Sequence, residues 1–369
     1  TPTECLGHRM APLVASRGCY GHCAFCCIAA WHEQTMPGKR FRLRPVADVA
    51  DEMAQLHRER GIELFLFHDD NFFLPSQALT LRRIESLADC LEERGVREFA
   101  TIVKARPNDL TPEVLSLMRR RLGLIRIYVG IENASDSGLR TLQRGVDGDE
   151  NHRALELLER FGVFPCFNLL IFEPSTTIAD LETNLRFMER HRSVPNNFGR
   201  VELYAGTPLL ARLQAEGRAT GDYLAWNYQI ADPAAQNVFE IAMRCFYTRN
   251  FSEQATPHRL MQTRFSVEIA ARFHPGAFRE SWRAEAKRLA RVLTADSVGA
   301  MREIIAFVES DGKECDELDF SVALAGRMRE VESCIDAAAI ALDREIHEAV
   351  GLRAGVDYDR QEQQVQPAG

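Results

Sequence analysis

From Pro12 to about Ala205 the sequence alternates short apolar runs with longer amphipathic stretches, and this rhythm restricts the fold more than any other feature. Antiparallel neighbours can be joined by a two-residue turn, whereas parallel ones need a crossover of a dozen residues or more, usually a helix. Repeated strand–helix units of this kind build a parallel sheet with helices packed on it. Six strands are expected, at 13–16, 64–69, 99–105, 124–132, 166–172 and 200–205, each bounded by Gly, Pro, Asn or Asp. Helices are expected between them, for example at 46–60 and at 76–94, the second opening at Pro75-Ser76 and stopping before Gly95. The fold class is therefore α/β: a partial (β/α)6 barrel over residues 1–210.

The fourth strand is the most informative. Ile125, Ile127, Val129 and Ile131 alternate with Arg126, Tyr128, Gly130 and Glu132, so one face packs and the other is polar. A buried parallel strand normally reads apolar on both sides. A polar side with a glycine in it implies a lumen that takes a polar ligand; the plain alternative is an edge strand wetted by solvent.

After Gly206 the pattern turns helical, with stretches at 258–273, 281–293, 296–308 and 330–350. Residues 211–355 are expected to form a helical C-terminal region and 356–369 a disordered polar tail. Its Met and aromatic residues are expected in the core.

With 53 acidic against 45 basic residues the chain carries a formal charge of −8, which gives no pull toward a polyphosphate, so nucleic acid is excluded as a partner. The ten cysteines are scattered apart from one cluster, as suits a reducing cytoplasm rather than a disulfide scaffold. No stretch approaches the roughly 20 apolar residues of a membrane span, and the first ten lack the layout of a signal peptide. The first residue, Thr1, is not a methionine, and the first strand lies close behind it, which leaves room for a preceding segment.

The run Ser16-Arg17-Gly18-Cys19-Tyr20-Gly21-His22-Cys23-Ala24-Phe25-Cys26 places three thiols right after the first strand. Three thiolates leave one iron of a four-iron cluster without a protein ligand, free to chelate the amino and carboxylate groups of a small molecule. The competing reading is a zinc knuckle with His22, His32 or Cys27 as fourth ligand. This CxxxCxxC, with an aromatic before its last cysteine, closely resembles the radical S-adenosylmethionine (SAM) superfamily. The resemblance implies a [4Fe–4S] cluster on Cys19, Cys23 and Cys26, and SAM cleaved there to a 5′-deoxyadenosyl radical. It selects Cys26 over Cys27, which then reads as a buried small thiol, and sets Phe25 against the adenine, although Phe25 alone could equally be core.

Over residues 10–210 the sequence is most similar to the cobalamin-type branch. Phe67-His68-Asp69-Asp70-Asn71-Phe72 resembles the branch's second-strand end, where catalytic groups collect, and this makes Asp69 and Asp70 candidate cofactor contacts; the plain alternative is an Asp-Asn turn and helix cap. Tyr128-Val129-Gly130-Ile131-Glu132 resembles the segment that contacts SAM, with Glu132 suited to a ribose diol or the methionyl ammonium. Arg144-Gly145 and Asn151 continue that pattern as structural linkers. Asn168 shares a face with Cys166 and Leu170, and Thr176 or Thr177 reads as a helix cap. Tyr204-Ala205-Gly206-Thr207-Pro208-Leu209 resembles the closing Gly-Thr-Pro, with Gly206 near the adenine. Arg42, Arg44 and Arg106 are weaker candidates for a substrate anion, since exposed arginines are usually solvated.

The sequence contains no GxSxG, HExxH or P-loop. The resemblance implies radical modification of an unactivated carbon in a small metabolite, peptide or natural product, with an electron from flavodoxin or ferredoxin. Methylation of the cobalamin-dependent type is the leading expectation. The branch places a cobalamin-binding domain before the barrel and this chain carries none, so a cobalamin-independent oxidation, rearrangement or cyclisation stands beside it. The other class of reading is a metal-stabilised, non-catalytic binding module.

Overall fold

Six parallel strands lie side by side in the order in which the chain makes them. The structure is a computed structural model that describes residues 3–35, 40–310 and 314–352. Strands β1 (Thr3–Cys5) and β2 (His8–Leu13) form an antiparallel hairpin. The short strands β3 (Ser16–Arg17) and β4 (Arg42–Leu43) pair with each other outside the main sheet and bracket helix α1 (Cys27–Thr35). Helix α2 (Val46–Arg60) leads to β5 (Ile62–Phe67), α3 (Gln77–Glu93) to β6 (Ala100–Ala105) and α4 (Pro112–Leu122) to β7 (Leu124–Val129). Helices α5 (Asp136–Thr141) and α6 (Gly148–Arg160) precede β8 (Phe164–Phe172), and α7 (Ile178–Arg190) precedes β9 (Asn196–Arg200). The sheet order is β1-β2-β5-β6-β7-β8-β9, and every pair after the first is parallel. This is the expected partial barrel, open between β9 and the hairpin.

Helix α8 (Pro208–Ala215) is followed by α9 (Pro233–Phe251), α10 (Thr256–Phe273), α11 (Glu280–Glu309) and α12 (Glu314–Ala349). Two apolar layers result. On the outer face Phe65, Phe67, Val103, Ile127 and Val129 pack with residues of the surrounding helices such as Val49, Met53, Leu87, Leu115 and Leu155. On the inner face Leu64, Ala100, Ile102, Ile125 and Phe164 pack with Met261, Phe265 and Ile269 of α10, backed by Trp282, Leu342 and Ile346. Helix α10 therefore lies inside the half-barrel, against β7, β8 and β9, where a closed barrel would carry its own side chains.

Several expectations need correcting. The first strand is His8–Leu13 rather than 13–16, its polar residues covered on one side by β1, which was not foreseen. The second begins and ends two residues earlier than 64–69, since the carboxylates Asp69 and Asp70 belong to the loop. The last strand is Asn196–Arg200 rather than 200–205. Its asparagines hid it: Asn197 Nδ2 donates to Asn250 O at 3.2 Å and Asn250 Nδ2 to Phe198 O at 2.9 Å, which ties this strand to α9. Ile125 turns to the inner layer, unlike Ile127 and Val129, beside the register shift between Thr101 and Ile102. The helices expected at 281–293 and 296–308 are the single α11, and 330–350 is the later part of α12. Helix α9 went unread although Asp232 caps it, accepting from Ala234 N at 2.9 Å. The expected tail lies outside the described residues. Among the described residues no helix is long and apolar enough to cross a membrane.

Candidate active site

Cys19, Cys23 and Cys26 border one cavity of about 570 Å³ at the C-terminal ends of the parallel strands, together with Phe25, Asp70, Glu132 and Asn168. The strand ends hold the cysteine loop in place. Asp69 accepts from Ala15 N at 3.1 Å and from Ser16 Oγ at 2.5 Å, and Asp70 accepts from Gly18 N at 2.8 Å. Ala24 is pinned from both sides, its N–H donating to Leu142 O and its carbonyl accepting from Leu209 N, each at 2.9 Å. A Cβ at Gly21 would stand 2.4 Å from Arg106 Nη1, so any larger residue there would displace that guanidinium.

Two arginines close on the central thiol. Arg106 Nη1 donates to Cys23 Sγ at 3.3 Å and Arg144 Nη1 donates to the same sulfur at 2.9 Å. Arg106 is held because Asp109 accepts from its N–H at 2.9 Å and also accepts from Tyr20 Oη. Arg144 Nη2 donates to Gly130 O at 2.5 Å. Among the described residues neither buried Nε atom has a partner, as in a site whose remaining acceptor belongs to a bound group. Gly21 N donates to Cys19 Sγ at 3.3 Å. Burial pushes the Cys19 and Cys26 thiols up, so the thiolate form needs a cation beside it.

Glu132 follows β7 with a left-handed backbone at φ 63°, a costly conformation for a residue with a Cβ. It is held there by a bridge to Leu169 and by its carbonyl accepting from Leu170 N. The next residue is braced too: Asn133 Nδ2 donates to Leu170 O at 2.9 Å and its Oδ1 accepts from Asn184 Nδ2 at 3.0 Å. Burial raises the Glu132 carboxyl, and Arg144 and then Arg106 pull it back. Gly130 lets these groups converge, since a Cβ there would meet Glu132 Oε1 at 2.8 Å and Arg144 Nη2 at 2.9 Å.

The donor set fits a four-iron cluster better than a lone ion. Each cluster thiolate binds a different iron, so the sulfurs surround a volume rather than converge on a point. Among the described residues no three His, Cys, Asp or Glu side chains form a group able to hold a single metal ion. The fourth ligands imagined for a zinc knuckle do not join in: His22 is exposed beside Arg40, His32 is buried beside Arg42, and Cys27 is exposed.

Of the expected site residues, Cys19, Cys23, Cys26, Phe25, Asp70, Glu132 and Asn168 border the cavity. Asp69 does not; its carboxylate is buried and spent on the loop before the cysteines. Gly206 does not either. Its segment opens α8, with Thr207 Oγ1 accepting from Leu210 N at 3.4 Å, and braces Ala24 through Leu209. Cys27 is exposed at the start of α1, not buried, because its neighbours Cys26 and Ile28 take the inward positions. Arg42 and Arg44 lie outside, Arg44 pairing with Glu52 at 2.6 Å, while Arg106 lines the cavity. Arg144, read as a linker, is a site residue, whereas Asn151 is structural, donating to Asn133 O at 2.9 Å. Thr177 caps α7 as expected. The polar side of the fourth strand is confirmed: β7 is a central strand, and Arg126, Tyr128, Gly130 and Glu132 all line the cavity. Lys104, His258, Met261 and Gln262 were missed, the last three because nothing in the sequence places α10 inside the barrel.

Residues 13–188 match the model of the radical SAM superfamily. An uncharacterized methyltransferase of Pyrococcus horikoshii is 26% identical over 178 residues, 48% of this chain and 36% of the relative. Anaerobic magnesium-protoporphyrin IX monomethyl ester cyclase of Cereibacter sphaeroides is 26% identical over 230 residues, 61% of this chain and 35% of the relative. The chain thus spans about a third of the length of these curated relatives. The cobalamin-dependent SAM radical enzyme OxsB, solved with aqua-cobalamin and SAM bound, shares the fold at a TM-score of 0.59 and 16% identity, over 92% of this chain and 57% of that one.

Proposed function

We propose that the chain, whose residues 13–188 match the model of the radical SAM superfamily, carries the radical half of a cobalamin-dependent methyltransferase acting on an unactivated carbon of a small metabolite or natural product. One observation carries the reading: three cysteines at cluster spacing border one cavity that also has room for a substrate. A [4Fe–4S] cluster held by Cys19, Cys23 and Cys26 would supply one electron and an iron without a protein ligand, free to take the amino and carboxylate groups of SAM.

The chain's own part is to hold and to shield. Cys19, Cys23 and Cys26 grip the cluster, and the guanidinium donors of Arg106 and Arg144 offset its sulfur charge. Glu132, Asn168 and Phe25 border the same cavity, where Glu132 would accept from the ribose diol and Phe25 would face the adenine of bound SAM. Ile28, Phe167 and Met261 give the cavity apolar wall, which keeps water from a reactive carbon radical. Residues 1–210 do this chemistry, and 211–355 supply the inner wall through α10. The electron comes from a cytoplasmic flavodoxin or ferredoxin.

Methyl transfer is supported by the Pyrococcus relative's name; the likeness to OxsB supports the fold alone. A second reading, cobalamin-independent ring closure, is supported by the relative named as a cyclase. The test is anaerobic reconstitution with iron and sulfide, then dithionite and SAM. Iron near four per chain and 5′-deoxyadenosine as product are expected, and both are expected to be lost together when Cys19, Cys23 and Cys26 are replaced by Ala. Stoichiometric zinc without iron would return the protein to the non-catalytic class. Cobalamin binding by the chain, or by a longer gene product containing it, separates methylation from ring closure.

A further inference from the structure

Arg126 is a buried cation with no paired anion among the described residues. It sits on β7 facing the cavity, with a relative exposure of 8%. Its Nε donates to Cys166 Sγ at 3.0 Å. Among the described residues no carboxylate pairs with it and no acceptor meets its two Nη groups, which carry four of its five N–H donors. An ionised group taken from water without a partner costs several kcal/mol, so such groups are nearly always paired.

Three aromatic rings keep it in place without using those donors. The guanidinium carbon stands 4.6 Å from the centroid of Tyr128, 4.9 Å from Phe265 and 5.4 Å from Phe164, within the range of cation–π attraction. Phe265 comes from α10, so the C-terminal helices complete this holder. A planar fork fixed by its faces, with its outer edge open to a cavity, is the arrangement that binds a carboxylate or phosphate bidentately.

This is a different place from the thiol site. Arg126 precedes Val129 by three residues, roughly 10 Å along a parallel strand. Arg106 follows Ala105, the residue paired with Val129, and together with Arg144 it is committed to Cys23. Lys104 and Gln262 border the same cavity and add donors without adding a carboxylate.

Resting on the function proposed above and going beyond it to the substrate class, we propose that the substrate carries a carboxylate or other oxyanion that Arg126 receives deep in the cavity, which fixes the carbon presented at the cluster. The probes are phenylacetate and phenylacetamide, equal in shape and different in charge, titrated into the reconstituted protein by calorimetry. Phenylacetate is expected to bind tighter by about tenfold or more. Arg126→Gln is expected to bring the two within about twofold, and Arg126→Lys, which keeps the charge and loses the fork, to fall between. Equal affinities in the wild type, binding of neither probe, or a full preference surviving in R126Q or R126K overturns the proposal. So does loss of SAM binding in R126Q, which would assign the guanidinium to the cosubstrate. Iron content and 5′-deoxyadenosine formation test the cluster reading separately, so the two failures are distinguishable.

Discussion

Arg106 donates through Nη2 to the backbone carbonyl of Arg144, and the two side chains then donate to one sulfur, that of Cys23. Two cations thus stand at one of three expected cluster ligands. Hydrogen bonds to cluster sulfurs and nearby positive charge both favour the reduced, more negative state. Arg144→Met is therefore expected to lower the cluster midpoint potential by on the order of 50 mV, since a hydrogen bond to a charged group is worth about 1.5–3 kcal/mol and only its change between redox states counts. Redox titration followed by electron paramagnetic resonance reads this directly; an unchanged midpoint would make the arginine a packing element.

The register of the cysteine motif is open to a simple check. Cys26 borders the cavity and Cys27 is exposed at the start of α1. Cys27→Ser is expected to reconstitute with full iron, whereas Cys26→Ser is expected to lose most of it, because a serine oxygen is a poor ligand for this soft site. Iron and sulfide analysis of the two variants decides the matter.

At Gly130 a methyl group would lie under 3 Å from both Glu132 Oε1 and Arg144 Nη2. Gly130→Ala is expected to destabilise the fold by about 1–3 kcal/mol, the usual range for overpacking, and to weaken SAM binding at least tenfold by displacing Glu132. Denaturant melts and equilibrium binding to the reconstituted variant measure the two effects separately. Normal SAM affinity in a folded G130A protein would remove Glu132 from the site.

Glu173 follows β8 with its side chain buried; Oε2 accepts from Ser175 N at 2.8 Å, and Oε1 has no hydrogen-bond partner among the described residues. Burial pushes its carboxyl up to about 7, with Asp180 adding to the rise and Ser175 N–H opposing it. A carboxyl raised in the fold contributes stability below its unfolded value near 4.5 and loses it as pH rises through 7. The stability of the wild type is expected to decline across that window by on the order of 2–3 kcal/mol from this group alone. Glu173→Gln is expected to lose that part of the decline, and thermal melts of both proteins from pH 5 to 8 test it. Parallel curves would show that the carboxyl ionises freely.

The barrel was legible because its strands are buried on both faces or alternate cleanly, as Leu64 to Phe67 and Arg126 to Glu132 do. The site was legible where chemistry demands a spacing, at the three thiols, and where a polar face interrupts an apolar strand, at Arg126, Tyr128 and Glu132. It failed where a residue's use depends on what the chain brings from far away. Asp69 reads like a catalytic carboxylate and is consumed by Ala15 and Ser16. Arg144 reads like a linker, yet lies against a sulfur 121 positions earlier. Asn197 reads as loop because its work is to hold β9 against α9. His258, Met261 and Gln262 carry no local mark at all, since an amphipathic helix does not state which surface it will cover.

Placing α10 within the curl of the sheet separates two tasks that a closed barrel would have to combine. The thiol loop and the strand ends form one side of the cavity, while three residues of one helix, His258, Met261 and Gln262, form another. Exchanging a few side chains along that helix alters the vessel and leaves the spark untouched, which gives this architecture an inexpensive route to new substrates.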